Sequence, residues 1–481
     1  MVGDIVTLQE LWKAIIEGNA GITEREFLQS EINTFLTSEK YKLMKCGREY
    51  YEGKQDILNK QRIVYDEYGN GKVMTNFPNN RIVNNRFDDL VDQKVNYLLA
   101  KDLEIKGIEE SDEIFTAGWQ RKIKYVALDS LVGGVGYLHP YIDEQGVLQF
   151  KRMKPEQIIP FWHDEEHEVL DAFIYMYDVE VYDRLSSKRT IKKIEYYTPM
   201  GISYYEYESY NLRPDKSRDN VNHLTISGEG FNWERIPLIA FRMNSIEQPL
   251  IVRVKSLQDA LNSLISNYAD CMEEDIRSTI LVIKNYDGTD LGTFRQNLAQ
   301  YGAIKVRAIE GVQGGVDALK IDVNASNYEV ILKLLKDAIV ENGRGFDAKD
   351  DRMSNNPNQM NIHSMYSDID LDANEMELEF KAAFEQMMWF INTYRRIIRA
   401  SELTDVEFIF NRDLPMNEGD VITNCRNSVG IISNETIIAN HPWTRNTEEE
   451  LSRLKAEQLE QMTLAMGMDY VTQDTGGGDE S

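Results

Sequence analysis

Two histidines and a glutamate in the middle of the chain have the spacing of a zinc-binding motif. His163, Glu166 and His167 fit the pattern HxxEH, in which two histidines one helical turn apart bind the metal and the glutamate acts as a base. That chemistry requires a helix, whereas the run PFWHDEEHEVLDAF lies between strand-like segments directly after Pro160. The sequence favours an acidic hairpin turn here and offers no convincing third ligand. A zinc metallohydrolase remains only an alternative.

Other residues that could support catalysis lack the required spacing. GGVG at 133–136 does not have the dinucleotide-binding spacing, and GNGKV at 69–73 lacks the frame of a phosphate-binding loop. Cys46, Cys271 and Cys425 lie far apart and form no CxxC pair, so we expect buried thiols rather than disulfides or a zinc site. We therefore predict that the chain is not an enzyme and needs no metal or cofactor.

The 481-residue chain is strongly acidic, with a formal net charge of −27. Such an excess of negative charge argues against a protein that binds phosphates over a broad surface. The chain has no run of 18 apolar residues, and its first residues lack the features of a signal peptide. We predict a folded protein that is made and kept in a cytoplasm, without a membrane partner.

Hydrophobic periodicity predicts an α+β fold. Helical patterns cover the first hundred residues, including a capping box at Thr23 and Glu26 and an apolar stripe over 82–98, and a further helix over 112–131. From there to about Arg242, short runs of aromatic and β-branched residues predict antiparallel strands. We expect the many tyrosines in these strands to pack in the core; base stacking is the alternative.

Two helices with an insertion between them follow. Residues 248–274 predict a helix of about 40 Å, and 328–341 predict a second helix that ends near Gly343. Between them, 276–327 holds the strand-like segments TILVIKNY, GAIKVRAI and ALKIDV, joined by glycine-rich turns such as GVQGGVD. We predict a strand module at the tip of a helical hairpin.

The segment 346–361 (FDAKDDRMSNNPNQMN) is an unusually long connection between two helices. Compact domains seldom contain such a loop unless it has a function; an ordinary mobile surface loop is the alternative. Its cationic and amide side chains are Lys349, Arg352, Asn355, Asn356, Asn358 and Gln359.

The longest helical pattern covers 362–401, about 60 Å if continuous. Its first half is acidic and its end is basic, an order that suits the helix dipole. This acidic half is interpreted either as a solvated face or as a surface that must not adhere to DNA. The acidic residues are Asp368, Asp370, Asp372, Glu375, Glu377, Glu379 and Glu385, with Lys381 among them. A further helix is predicted over 447–466, followed by a disordered tail.

Several long runs carry a family resemblance that extends from about Tyr50 to Leu454. They are YYEGKQDI at Tyr50, NNRIVNNRFDDLVDQKVNYLLAK near Asn80, the helices with their strand insertion, the long helix after the loop, and VEFIFNRDLPMNEGDVITNCRNSVGIISNETIIANHPW. Together they resemble the portal proteins, the head-to-tail connectors of tailed double-stranded DNA bacteriophages, of the siphovirus type. One departure is PWTRNTEEEL, where family members often carry an acidic residue shortly after the proline.

The resemblance implies a portal fold assembled as a ring, typically of twelve copies. Its parts are a wing, a helical stem, a small α/β clip, a long kinked helix and a helical crown. The implied segments are the wing at 1–245, the stem helix at 246–275, the clip at 276–327, the second stem helix at 328–345, the tunnel loop at 346–361, the long helix and return strand of the wing at 362–430, the crown at 431–470 and a disordered tail at 471–481.

The resemblance also implies a function. The ring would form the DNA conduit at one capsid vertex for genome packaging, retention and ejection, with the six loop residues above lining the channel. Implied partners are a packaging motor (terminase), a head-completion or tail adaptor protein, the major capsid and scaffold proteins, and duplex DNA. The protein would lie in the virion, and in the host cytoplasm during assembly. A capsid or scaffold protein without a DNA channel shares the acidity and remains the alternative.

Overall fold

The computed structural model describes thirteen stretches of the chain and divides it into two compact units. The first unit comprises residues 1–345 and 371–412, and the second comprises 346–370 and 413–481. The described residues are 14, 22–65, 68–75, 77–108, 113–183, 187–226, 228–277, 280–284, 315–319, 325–347, 359–412, 418–444 and 446–473.

Helices and antiparallel sheets both contribute to the fold, as predicted. Among the described residues, no helix is long and apolar enough to cross a membrane. The helices are α1 (Glu24–Thr37), α2 (Glu39–Tyr51), α3 (Arg86–Leu99), α4 (Ala117–Gly133), α5 (Ile251–Arg277), α6 (Ala325–Asn342), α7 (Gln359–Ile397), α8 (Glu418–Asn427), α9 (Asn434–Ala439) and α10 (Thr447–Gln473).

The strands pair antiparallel within several small sheets. A five-stranded sheet has the order β10-β9-β8-β7-β6, a three-stranded sheet has the order β13-β4-β5, and the other pairs are β1-β2, β11-β12, β14-β15 and β16-β3. The strands are β1 (Ile63–Tyr65), β2 (Gly71–Val73), β3 (Glu104–Lys106), β4 (Val135–Ile142), β5 (Leu148–Met153), β6 (Ile158–Trp162), β7 (Leu170–Asp183), β8 (Ser187–Thr198), β9 (Gly201–Glu208), β10 (Asn211–Pro214), β11 (Leu224–Ile226), β12 (Glu229–Phe231), β13 (Ile239–Arg242), β14 (Ile280–Lys284), β15 (Gly315–Leu319) and β16 (Glu407–Ile409).

Local signals set several element boundaries as predicted. Thr23 and Glu26 form the capping box of α1, with the Thr23 N–H donating to Glu26 Oε2 at 2.9 Å. Helix α4 ends at Gly134, whose φ of +87° is left-handed. A side chain at Gly134 would also collide with the carbonyl of Glu247, so glycine is required there for two reasons.

The five-stranded sheet is buried on both faces. On β7, Ile174 joins the cluster that includes Phe27 of α1, while its neighbour Phe173 faces the opposite cluster with Tyr137 of β4. Successive side chains on a strand point to opposite faces, so both faces of β7 are apolar. Tyr196 and Tyr197 divide between the two clusters in the same way, which confirms their packing role.

Within the first unit, an aromatic cluster packs residues 371–397 of α7 against neighbouring elements. Phe384 stacks on Phe408 of β16 with ring centroids 4.3 Å apart, and Phe380 packs edge-on against Phe241 of β13 at 5.1 Å. Trp119 of α4 lies 5.9 Å from Phe384. Strand β16 itself pairs antiparallel with β3.

The prediction of helix throughout the first hundred residues was wrong at two places. Strands β1 and β2 form a hairpin there, and α3 begins only at Arg86, after its cap residue Asn85. The apolar stripe had suggested a helix from residue 82. Residues 80–85 are instead extended because their backbone groups bond to α5, as described below.

Further boundaries differ from prediction. Helix α7 already begins at Gln359, so the end of the predicted loop is helical, and α10 extends to Gln473, into the predicted tail. Strand β15 starts inside the predicted glycine-rich turn at Gly315. The segment GAIKVRAI and residues 474–481 lie outside the described residues.

All three cysteines are free, but the expectation of buried thiols holds for only one of them. Cys425 is buried, whereas Cys46 and Cys271 are partly exposed.

Candidate functional site

Helix α5 carries a stripe of polar residues that are buried. The stripe repeats every four residues and so lies along one face of the helix. Gln258, Asn262 and Ser266 are fully buried, and Asp270 is 6% exposed. Buried polar side chains need hydrogen-bond partners, so the stripe requires a polar neighbour.

That neighbour is the backbone of residues 80–86. Every second residue of this segment donates its backbone N–H to the next polar side chain of the stripe, an arrangement that we call the α5 ladder. The Gln258 amide also donates back to the Asn84 carbonyl at 2.7 Å. The ladder consists of Asn80 N to Asp270 Oδ1 (2.6 Å), Ile82 N to Ser266 Oγ (2.9 Å), Asn84 N to Asn262 Oδ1 (2.9 Å) and Arg86 N to Gln258 Oε1 (2.9 Å).

The ladder depends on a match between two repeats. Four residues of an α-helix rise about 6 Å, and two residues of an extended chain advance about 6.6 Å. Each step of four residues along the helix is therefore nearly as long as each step of two residues along the antiparallel extended chain. The donors and acceptors stay aligned over the whole ladder. A helix that continued back through residues 80–85 would bond the N–H groups of Asn84 and Arg86 to its own carbonyls and deprive Asn262 and Gln258 of these donors.

A second segment joins the same face of α5. Asn262 also donates to Gln55, and the Gln55 amide donates to Asn85 Oδ1 at 2.7 Å. Near the start of α5, Lys255 donates to Asp259 at 2.8 Å and to the hydroxyl of Tyr50 at 3.0 Å. The two runs that carried the family resemblance, at Tyr50 and near Asn80, thus both dock on α5.

Electrostatics reinforce both ends of this contact. Burial, together with the hydrogen bond to Asp259, raises the pKa of Tyr50, so its hydroxyl stays protonated and donates. Burial alone would raise the pKa of Asp270, but hydrogen bonds from Asn80 and from Lys60 (2.8 Å) hold it below its usual value. Asp270 is therefore an ionised acceptor in the ladder.

Asp372 of α7 is the centre of a buried ion cluster formed with Lys94 of α3, Arg253 of α5 and Arg344, which follows α6. We call these four residues the Asp372 cluster. Lys94 Nζ lies 2.7 Å from Asp372 Oδ2, Arg253 Nη1 lies 2.7 Å from the same oxygen, and Arg344 Nη1 lies 2.7 Å from Oδ1. The side chains of Lys94 and Asp372 are each 2% exposed.

The cluster sets the protonation of its members. Burial lowers the pKa of Lys94 to about 8, while the Asp372 charge opposes that shift. Burial alone would raise the pKa of Asp372, but the charges of Lys94 and Arg253 and the hydrogen bond from Arg344 bring it below its usual value. At neutral pH the Asp372 carboxylate is ionised and Lys94 is mostly cationic.

Other acidic residues of α7 also pair within the fold. Glu379 binds Arg242 at 3.1 Å, and Glu377 binds Arg412 at 2.8 Å. Asp368 and Glu385 are exposed. The acidic half of α7 was interpreted either as a solvated face or as a surface that must not adhere to DNA. Neither interpretation describes it fully, since part of it is an internal ion-pair surface.

The HxxEH residues lie in a turn between β6 and β7, as the sequence favoured, and not on a helix. His163 Nδ1 contacts Asp171 at 3.1 Å, and His167 Nδ1 contacts Glu247 at 2.8 Å. His167 also stacks on Trp162, with centroids 4.9 Å apart. Among the described residues, no three His, Cys, Asp or Glu side chains are grouped to hold a metal ion.

Glu247 anchors the chain just before α5. Its other oxygen binds Lys40 at 2.5 Å. Burial alone would raise its pKa, but the His167 hydrogen bond and the Lys40 charge lower it to about 2.

The predicted channel residues fall largely outside the described part of the chain. Lys349, Arg352, Asn355, Asn356 and Asn358 lie there, and the structure describes no contacts for them. Gln359 is the first residue of α7.

The landmark runs of the sequence agree with comparisons to known proteins. The chain matches a family model described as "Phage portal protein, SPP1 Gp6-like" over residues 37–463. This chain therefore belongs to the phage portal protein family, and the predicted function as a phage portal protein is confirmed.

Two curated relatives and one solved structure illustrate the match. The portal protein of Bacillus phage SPP1 is 26% identical over 486 aligned residues, covering 98% of this chain and 94% of the relative. The portal protein of Clostridium phage phiCD119 is 24% identical over 440 residues, covering 88% of this chain and 94% of the relative. A chain of a structure titled "Neck of native GTA particle computed with C12 symmetry" is 13% identical, covers 74% of this chain and 89% of its own length, and has a TM-score of 0.37.

Sequence reasoning missed the α5 ladder and the Asp372 cluster. A signal for the ladder existed, because Gln258, Asn262, Ser266 and Asp270 repeat at helical spacing beside the apolar stripe. No local signal distinguishes Asp372 from the other acidic residues of α7.

We expect Asn262→Ala to lower the free energy of unfolding by roughly 1–3 kcal/mol, because it removes a buried side chain and leaves the partly buried Asn84 N–H without its acceptor. Urea denaturation measures this cost. Asn267→Ala is the control, since Asn267 is exposed on the same helix and contacts only Lys60 at 2.8 Å among the bonds described. Equal small effects of the two substitutions would contradict the importance of the ladder.

The low pKa of Glu247 predicts a pH dependence. A carboxyl group with a depressed folded-state pKa stabilises the fold above its unfolded value, near 4.5, and loses that contribution as the pH falls toward about 2. Glu247→Gln should therefore reduce the free energy of unfolding at pH 7, and the difference from wild type should shrink between pH 5 and pH 2. A difference that is constant over that range would show that Glu247 contributes no ionised contact.

Proposed function

We propose that twelve copies of this portal protein close into a ring at one capsid vertex and that duplex DNA passes through its axis. The ring would serve genome packaging, retention and ejection. In this proposal the chain acts as a structural conduit and has no catalytic role of its own.

The support for ring closure is an apolar surface on the two-helix pair α5 and α6. Tyr268, near the end of α5, packs on Tyr328, near the start of α6, with ring centroids 4.6 Å apart, so the helices are antiparallel. Helix α6 leaves three apolar side chains open to solvent: Val330 at 60%, Ile331 at 46% and Leu334 at 62% exposure. A second copy of the chain would cover them.

We assign the segments accordingly. Residues 246–275 and 328–345, which hold most of α5 and α6, would be the stem. Residues 276–327 would be the clip that meets the packaging motor (terminase) or a head-completion or tail adaptor, and 346–361 would be the tunnel loop. Residues 1–245 with the long, kinked helix and return strand at 362–430 would be the wing. The remaining segments would be the crown at 431–470, which would face the capsid interior, and a tail at 471–481.

The charge of the chain suits a conduit. With −27 per copy, a twelve-fold ring is strongly anionic, and duplex DNA carries about one negative charge per 1.7 Å, so most of the ring would repel it. The loop side chains from Lys349 to Gln359 would guide phosphates at the narrowest point. Major capsid and scaffold proteins would surround the ring in the virion, after assembly in the host cytoplasm.

Electron microscopy of the purified protein should show a ring of fixed subunit number with an axial hole wide enough for a duplex. Leu334→Gln should weaken that ring, because it replaces an exposed apolar side chain proposed to pack on the next copy. Lys333→Gln, at an exposed position beside it, should not. Sheets or icosahedral shells in place of rings would favour a capsid or scaffold protein without a channel.

Deleting residues 350–358 should leave ring assembly intact and shorten the DNA packaged per head, because four of the six proposed phosphate-guiding side chains are removed. The length of DNA in purified heads measures the effect. Lys349→Gln combined with Arg352→Gln, which keeps the loop length, separates charge from length. Normal packaging by the deletion variant in normal rings refutes the guiding role.

A further inference from the structure

We propose that Asp372 is a positioning residue that fixes the direction in which the chain leaves α6 toward the predicted tunnel loop. This inference rests on the proposed conduit, in which every copy must present the loop in the same way. It concerns residues 343–345, all of which are described, and their contacts within the first compact unit.

The end of α6 has an unusual residue at its turning point. Gly345 N donates to Val340 O at 2.9 Å and Arg344 N donates to Glu341 O at 3.1 Å, the two bonds of a Schellman motif. The residue at the left-handed position of this motif is usually glycine, but here it is Arg344, with φ of +50°. Glycines stand on either side of it, so local conformational preference does not explain an arginine at this position.

The Arg344 side chain and backbone are both held by the Asp372 cluster. Its guanidinium binds Asp372 at 2.7 Å, and its carbonyl accepts a hydrogen bond from Lys94 Nζ at 2.8 Å. Lys94 in turn binds Asp372 at 2.7 Å. Two side chains from α3 and α7 therefore clamp the left-handed residue from both sides, and Arg253 links the clamp to α5.

Packing leaves little freedom around the clamp. A Cβ atom at Gly343 or at Gly345 would lie 2.5 Å from a methyl carbon of Leu90 on α3. The turn therefore lies directly against α3, one helical turn before Lys94. Any rotation of the turn would have to break the clamp or move Leu90.

The cluster depends on the Asp372 carboxylate. It holds three cations and one anion, and Lys94 is 2% exposed. Without the Asp372 charge, no anion of the cluster would balance Arg253 and Arg344 or hold Lys94, and Arg344, which is 42% exposed, is the side chain that can move into solvent. Losing Asp372 should therefore release the α6 exit before it unfolds the unit.

Asp372→Asn tests the clamp in the full-length protein by hydrogen exchange. We expect backbone N–H groups of residues 343–345 to exchange about tenfold faster or more than in wild type, since their bonds to α6 lose their support. Glu379→Gln is the matched control, because it removes another carboxylate from α7 and breaks the pair with Arg242, which does not touch the α6 exit. Unchanged exchange at 343–345 in Asp372→Asn, or an equal increase in Glu379→Gln, overturns the proposal.

A double variant separates positioning from overall stability. Asp372→Asn with Lys94→Met removes the buried cation together with the carboxylate, so the melting temperature should recover toward wild type. Exchange at 343–345 should stay fast, and both Asp372→Asn and the double variant should package less DNA than wild type in rings that still assemble. Recovery of both exchange and packaging along with stability would show that Asp372 acts only on stability.

If Asp372→Asn fails to fold, Arg344→Met provides the test, because Lys94 and Arg253 keep their carboxylate partner. The expected result is the same faster exchange at residues 343–345; wild-type exchange overturns the proposal. The exchange measurement does not need a ring. If the protein forms no rings but the variant shows faster exchange, the proposed function is refuted and the clamp proposal is supported. If rings form but the variant exchanges like wild type, the clamp proposal is refuted and the proposed function stands.

Discussion

The fit between one helical turn of α5 and two residues of extended chain is the constraint on which the first compact unit depends. It allows Gln258, Asn262, Ser266 and Asp270 to lie in a buried contact without an unsatisfied bond along the ladder. An apolar contact could slide along the helix axis, whereas a ladder of directional bonds holds one register. Residues 80–86 and the segment around Tyr50 are thereby attached to α5 at defined positions along the helix axis.

Ion pairs fix the start of α5 and the end of α6, which are the two helix ends nearest the β-rich part of the unit. Glu247 precedes α5 and joins Lys40 and His167, while Arg253 on its first turn joins Asp372. Arg344 brings the end of α6 to the same carboxylate. An antiparallel helix pair held at its base in this way resists bending there, which suits a stem proposed to surround moving DNA. Part of the acidity of the chain thus has an internal use, because these carboxylates pair with cations inside the unit.

Much of the fold could be predicted from the sequence. The capping box at Thr23, the glycine end of α4, the alternating β-rich region, the helices on either side of an insertion and the long α7 all follow from residues close in the chain. The turn at His163 to His167 was also predictable, because its strand-like flanks exclude the helix that HxxEH requires. The runs at Tyr50, near Asn80 and at 406–443, together with the order of the helices, indicated the family.

The sequence by itself therefore determined the elements and the family, because periodicity, caps and turns depend on neighbours within a few residues. Only the tertiary structure decided that residues 80–85 are extended, since their N–H groups find acceptors on α5, far away in the chain. It also decided which of the α7 acids is buried: Asp372 differs from Asp368 or Glu385 only in meeting three cations from α3, α5 and the end of α6. Hydrogen bonds and charges act through space, and their partners are set by the packing of whole helices.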